Sequence, residues 1–132
     1  MMGIVRYLPF VGRLFIGLPF MVSGLSKVMN HDGTIALIKS SLLPLPPSVA
    51  YLGAIAVEVG CGFCIIVGFR ARIVATIFAL FCLVTALCFH AHFSDANQTF
   101  HFIKNLVMAG GLLQIVANGA GPISLDARKA RH

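Results

Sequence analysis

Glu58 stands near the middle of an apolar run, Val49 to Phe69, long enough to cross a bilayer. A carboxylate at that depth costs several kcal/mol unless it is protonated, paired or beside water, so its partner is the first chemical question. Arg13 is the first candidate. At about 1.5 Å per residue it lies about 14 Å into the first apolar run, while Glu58 lies about 14 Å into the second, entered from the opposite side of a core about 30 Å thick. The two fall at similar depth, and an Arg13–Glu58 ion pair is expected. It would either lock two helices or form part of a polar ligand or proton site. In both cases removing one partner strands the other charge.

Helical phase gathers further polar residues. Gly17, Phe20, Gly24 and Lys27 lie within about 40° of Arg13 at 100° per residue, giving the first run one face with two cations and two glycines. His101, Lys104, Asn105, Met108 and Leu112 share a face in the fourth run. Lipid penalises such stripes, so both are expected to look into a bundle; the bland alternative is that Lys27 and Lys104 snorkel to the outer surface. His90, His92, His101 and Asp95 gather at one end and are weak candidates for a metal site, since imidazole suits Zn, Cu or Fe. The i, i+2 spacing of His90 and His92 puts them on different helical faces, so interfacial histidines bonded to backbone or water explain them better. Cys61 and Cys64 have C-x-x-C spacing, a redox signature in a thioredoxin-like setting. Here no βαβ context surrounds them, and Ala56, Gly60, Cys64 and Gly68 read instead as an i, i+4 ridge of small residues for close helix approach. Cys82 and Cys88 have no stronger case.

These residues need elements to carry them, and composition says what kind. Hydrophobic residues make up 58% of the 132 residues and charged residues only 11%, with a mean hydropathy of +0.93. A soluble domain carries about 25% charged residues, so too few are present to cover a water-facing surface. Four apolar runs of spanning length follow: roughly 4–28, 49–69, 73–93 and 99–116. The first reads as a span rather than a cleaved leader, because it carries Arg13 and lacks an Ala-x-Ala-like site. The expected architecture is an all-α bundle of four transmembrane helices in a single domain.

The formal net charge of +6 would suggest nucleic acid in a soluble protein. Here the positive-inside rule accounts for it, and no nucleic-acid partner is expected. Arg6, Arg70, Arg72, Arg128, Lys129 and Arg131 fall on the side shared by both termini and the second connection, so both termini are expected in the cytoplasm. The Asn30–Gly33 stretch reads as a turn, residues 34–43 as a short interfacial helix, and Asp95 with Gln98 as a capping box. The short 68–72 connection makes the second and third spans antiparallel neighbours. The tail, 119–132, reads as interfacial or disordered.

The ordered set Gly12-Arg13, Ser23-Gly24-Leu25-Ser26-Lys27, Leu45-Pro46, Glu58, Gly68-Phe69-Arg70-Ala71-Arg72, Phe89-His90, His101 to Leu106 and Gly110-Gly111 resembles the DoxX family. The tail from Gly121 to Asp126 resembles that family's closing segment. The resemblance implies a four-helix protein of the bacterial cytoplasmic membrane, with polar positions at Arg13, Lys27, Glu58, His90, His101 and Lys104. It also implies a quinone-linked oxidoreductase or subunit, the family name coming from a thiosulfate:quinone oxidoreductase. The Cys61–Cys64 stretch departs from the family pattern.

On this reading an isoprenoid quinone lies among the helices. Lys27, His101, Lys104, Arg13 and Asn105 contact its head group in the outer half of the bundle, and Glu58 or His90 moves protons. No redox centre is evident, so electrons come from a partner protein, a metal or the cysteines. A non-catalytic membrane assembly or interaction subunit is the alternative, and on any reading the partners to look for are other proteins or further copies of the chain in a homo-oligomer. A small-solute carrier is the third.

Overall fold

The computed structural model describes residues 2–131, and among these it contains only helices and their connections. A short turn α1 (Met2–Val5) leads into α2 (Leu8–Met29), and α3 (His31–Lys39) lies in the first connection. The second span is α4 (Pro47–Ile55), a π-helical turn (Ala56–Cys61) and α5 (Gly62–Val67). Then follow α6 (Ala71–Phe89), α7 (Ala96–Asn118) and a tail helix α8 (Leu125–Lys129). Four helical stretches are long and apolar enough to cross a membrane: Gly3–Met29, Pro47–Val67, Ala71–Phe89 and Ala96–Asn118.

Local chemistry sets the boundaries. Pro9 and Pro47 occupy first-turn positions, where a missing N–H costs nothing. The second span stops at Gly68, whose φ of 69° is left-handed. The Gly68 N–H reaches Ile65 O at 3.2 Å and the Phe69 N–H reaches Cys64 O at 3.0 Å, a Schellman closure. The third span ends at Phe89, so His90 is its C-cap and His92 lies beyond it, earlier than the hydropathy pattern suggests. Helix α3 begins at His31, so the Asn30–Gly33 stretch is mostly its first turn rather than a loop.

The bundle is apolar outside and small inside. Phe15, Val22, Leu52, Ile73, Leu80, Leu87 and Val107 are exposed, as lipid-facing residues should be. Ala71, Ala75, Ala79, Cys82 and Ala86 run along the buried face of α6, against Ala109, Leu112 and Ile115 of α7. Small side chains let two membrane helices approach and gain dispersion contacts that lipid tails would otherwise supply. Phe20 and Phe78, with ring centroids 4.3 Å apart, tie the first span to the third. A second cluster, Ile38, Ala50 and Tyr51 with Leu43 and Phe89, seats α3 across the end of the bundle opposite the termini. There the Leu42 N–H satisfies the Cys88 carbonyl at 3.2 Å, one of the open acceptors at the end of α6.

The expected small-residue ridge on the second span faces the wrong way. Ala56 and Gly60 are exposed, whereas Glu58 and Gly62 are buried. Tyr51, Glu58, Gly62 and Ile65 carry the buried face through the π turn at ordinary helical spacing, and Ala56 and Gly60 lie about half a turn away from that face. Gly62, not Gly60, makes the close approach: a Cβ on it would meet Met21 Cγ at 2.9 Å and Gly17 O at 3.1 Å.

Candidate functional site

Glu58 does not pair with Arg13. Its two carboxylate oxygens accept from Lys27 Nζ at 2.9 and 2.8 Å, and the same ammonium reaches Ser23 Oγ at 2.9 Å. All three ammonium protons thus have acceptors. The Glu58 side chain is 7% exposed and that of Lys27 27%. Side-chain direction explains the choice. Cβ bonds tilt toward a helix's N-terminus. Along α2, Lys27 therefore leans back toward the bundle middle while Arg13 leans toward the opposite end. The second span runs the other way, so Glu58 leans toward Lys27. Gly24 permits the approach, because a Cβ there would meet Val59 Cγ2 at 2.7 Å and Glu58 Cβ at 3.1 Å.

Arg13 is instead a buried latch at the end carrying both termini. It is 1% exposed. Its Nη1 donates to Ile65 O at 2.9 Å and Ile66 O at 2.5 Å, carbonyls of the last turn of α5, and its Nη2 donates to Ile123 O in the tail. The Phe10 ring sits under the guanidinium at 5.5 Å. Asp126 completes the arrangement. Its carboxylate accepts from the Arg70 and Ala71 N–H groups at 2.8 Å each, capping α6 from a distant part of the chain, and its own N–H donates to Gly68 O at 3.0 Å. This cap holds Arg70 at a left-handed φ of 45°. Of the two expected states of the tail, interfacial or disordered, the disordered one does not hold: Ser124 and Ala120 are buried, Arg13 bonds to the tail at Ile123, and the tail's Asp126 bonds back to the start of α6. Asp126 was overlooked in the sequence. The signal was arithmetic: the chain has four acidic residues, and each is worth a partner.

At the other end, His90 and His101 stack with ring centroids 5.1 Å apart and planes 27° from parallel. Gln98 Oε1 lies 2.7 Å from His90 Nδ1, so Gln98 serves this histidine rather than the expected capping box. Asp95 caps α7 alone, accepting from the Asn97 N–H at 2.9 Å. Asn105 is buried but turns back to His101 O at 3.0 Å. Lys104 is exposed and does not join the inward face, because α7 turns its Asn105, Ala109 and Leu112 line to the core. His92 is exposed as well. Among the described residues no three His, Cys, Asp or Glu side chains gather with metal-binding geometry, so the proposed His90, His92, His101 and Asp95 set does not form. Cys61 and Cys64 are free thiols, and Cys61 packs against the main hydrophobic core.

The expected single polar pocket is thus two clusters. Lys27, Glu58 and Ser23 join the first two spans, and His90, Gln98 and His101 join the third and fourth. No hydrogen bond among the described residues links them. Tyr51 borders the first cluster, donating to Lys27 O at 3.2 Å and meeting the His31 ring edge-on at 4.8 Å.

Four lipid-facing spans with a buried carboxylate–ammonium pair and a docked tail define a multi-pass integral membrane protein. The chain belongs to the DoxX family, whose family model matches residues 8–91. It is 32% identical over 118 residues to the inner membrane protein YqjF of Escherichia coli (strain K12), covering 88% of this chain and 87% of that one. It is 33% identical over 124 residues to the inner membrane protein YphA of the same organism, covering 89% and 87%. No solved structure matches the chain. Family and spans together make it a multi-pass inner-membrane protein.

Proposed function

We propose that the protein is a quinone-interacting component of a membrane oxidoreductase, with the head group received at His90 and His101 and both termini in the cytoplasm. The observation that carries this reading is the stacked imidazole pair near the outer ends of two lipid-facing helices, with Gln98 at His90 Nδ1 and no described residue bonded to His90 Nε2 or to either His101 nitrogen. With Gln98 presenting its oxygen, His90 Nδ1 carries a proton and Nε2 is left as an acceptor. His101 has an N–H to offer. One acceptor and one donor match a quinol hydroxyl and a quinone carbonyl. The bound group would supply the redox chemistry, and a partner protein would exchange the electrons.

Lys27 is a poor head-group donor in this arrangement, since Glu58 and Ser23 already take its protons. The Lys27–Glu58 pair holds the first two spans in register beneath the site. Support for the orientation comes from Arg6, Arg70, Arg72, Arg128, Lys129 and Arg131, all at the end carrying the termini.

Binding of decylubiquinone to the protein in nanodiscs tests this. Loss in His90→Phe/His101→Phe, with retention in Lys104→Gln, is expected; undiminished binding by the histidine double variant overturns it. One observation favours a second reading, a non-catalytic assembly subunit. Gly53, Ala56 and Gly60 are exposed on the second span, and a Cβ on either glycine would meet nothing within 4 Å. A partner span on that ridge predicts that Gly60→Ile abolishes co-purification of the partner without lowering the protein's own stability.

A further inference from the structure

We propose that the end of the bundle carrying both termini holds one anionic phospholipid, its phosphodiester between Arg6 and Arg128 and its acyl chains on the adjoining apolar wall. A cleft of about 390 Å³ opens there between the start of the first span, the end of the second and the tail. Arg6 and Arg128 line it together with Phe10, Ile66, Val67 and Ile123. Cations above an apolar wall are the complement of a lipid phosphate above its chains, and basic pockets between membrane helices take such head groups.

The arginines are available for this. The chain's other cations at this end are occupied or lie away from the cleft. Arg13 is buried and turns its two Nη groups to backbone carbonyls, leaving only its buried Nε without a partner. Arg70 and Lys129 lie over the Phe69 ring, 5.9 and 5.4 Å from its centroid. Arg6 and Arg128 form no ion pair among the described residues, and the nearest acid in sequence, Asp126, is committed to capping α6. Two uncompensated positive charges therefore face one cleft whose walls are apolar.

The docked tail makes this a built site rather than a loose basic patch. Arg13 and Asp126 fix residues 119–131 against the bundle, and Ser124 caps α8 by accepting from the Ala127 N–H at 3.1 Å. That short helix presents Arg128 at a fixed place. The shared chemistry is a phosphodiester, and the apolar wall selects a lipid over a soluble phosphate.

Native mass spectrometry of the detergent-purified protein, supplied with phosphatidylglycerol, tests the proposal. A single retained lipid adduct is expected, at affinity about fivefold lower for each arginine lost in Arg6→Gln and Arg128→Gln. Val67→Trp, which fills the wall without changing charge, is expected to displace the lipid too. Arg72→Gln/Arg131→Gln, at the same end but outside the cleft, is expected to keep it. Circular dichroism in the same detergent confirms that each variant is folded. Equal adduct in Arg6→Gln/Arg128→Gln, or equal loss in Arg72→Gln/Arg131→Gln, overturns the site. Displacement by glycerol phosphate as effective as by phosphatidylglycerol overturns the lipid assignment.

Discussion

Lys27→Met keeps an unbranched stem but removes the only cation among the described residues that is bonded to Glu58. The carboxylate then lies 7% exposed with neither of its 2.9 and 2.8 Å partners. Stranding one member of a buried pair costs about 3–5 kcal/mol. The lower figure applies here, because the pair's ammonium end is partly open to the lipid boundary. Glu58→Leu is milder, about 2 kcal/mol, since Lys27 keeps Ser23 and its long stem can carry the charge outward. Removing both charges leaves two apolar side chains between apolar helices, within about 1 kcal/mol of the parent. The double variant is therefore expected to be more stable than either single, a coupling of about 4 kcal/mol. Reversible unfolding in mixed detergent and dodecyl sulfate micelles, followed by circular dichroism, measures all four proteins. A double variant as unstable as the sum of the singles refutes the reasoning, because the two residues would then be contributing separately.

Three further outcomes are expected in the same assay. Gly17→Ala places a Cβ 2.5 Å from Ile66 Cγ1 and 2.7 Å from Gly62 O, costing about 1–3 kcal/mol by overpacking, whereas Gly60→Ala meets nothing within 4 Å and changes stability by less than about 1 kcal/mol. Arg13→Leu leaves the Ile65, Ile66 and Ile123 carbonyls without their charged donor, worth about 1.5–3 kcal/mol per bond, and limited proteolysis should then cut the released tail after Asn118. Asp126→Ala uncaps α6 and costs about 1–2 kcal/mol, while Asp126→Asn, which keeps one carbonyl acceptor, should lose about half of that.

The four spans and the buried face of the first were legible because hydropathy and a 3.6-residue period act within one helix. Arg13, Gly17, Phe20 and Gly24 are all buried, as their phase requires. Pairing between helices was less legible. Depth alone put Arg13 beside Glu58, and it took side-chain direction to see that the two lean toward opposite ends. That argument uses only helix polarity and was available from the sequence once the spans were ordered. The π turn was not, because Ala56–Cys61 contains no proline or other residue that marks it. The ridge looks outward for a plainer reason: Glu58, Gly62 and Ile65 continue the buried face of Tyr51, which leaves Gly60 about half a turn away. Lys104 fell outside the site for a related reason: a neighbour one step along α7, Asn105, took the inward direction.

The scarcity of acids then acquires a structural meaning. Glu58 joins the first two spans, Asp126 ties the tail to the start of the third, and Asp95 starts the fourth. Asp32 alone remains outside the bundle, beside exposed His31. Each of the other three is placed where a helix crossing or helix start needs a negative group, so nearly all the anionic charge is spent on architecture. The cations exceed these needs, and the surplus collects at the end carrying the termini. Surplus arginines at a membrane protein's end are neutralised by solution ions and by anionic lipid head groups, and an apolar wall beside them favours the lipid. That is the physical ground on which the lipid cleft at Arg6 and Arg128 and the positive-inside orientation rest together.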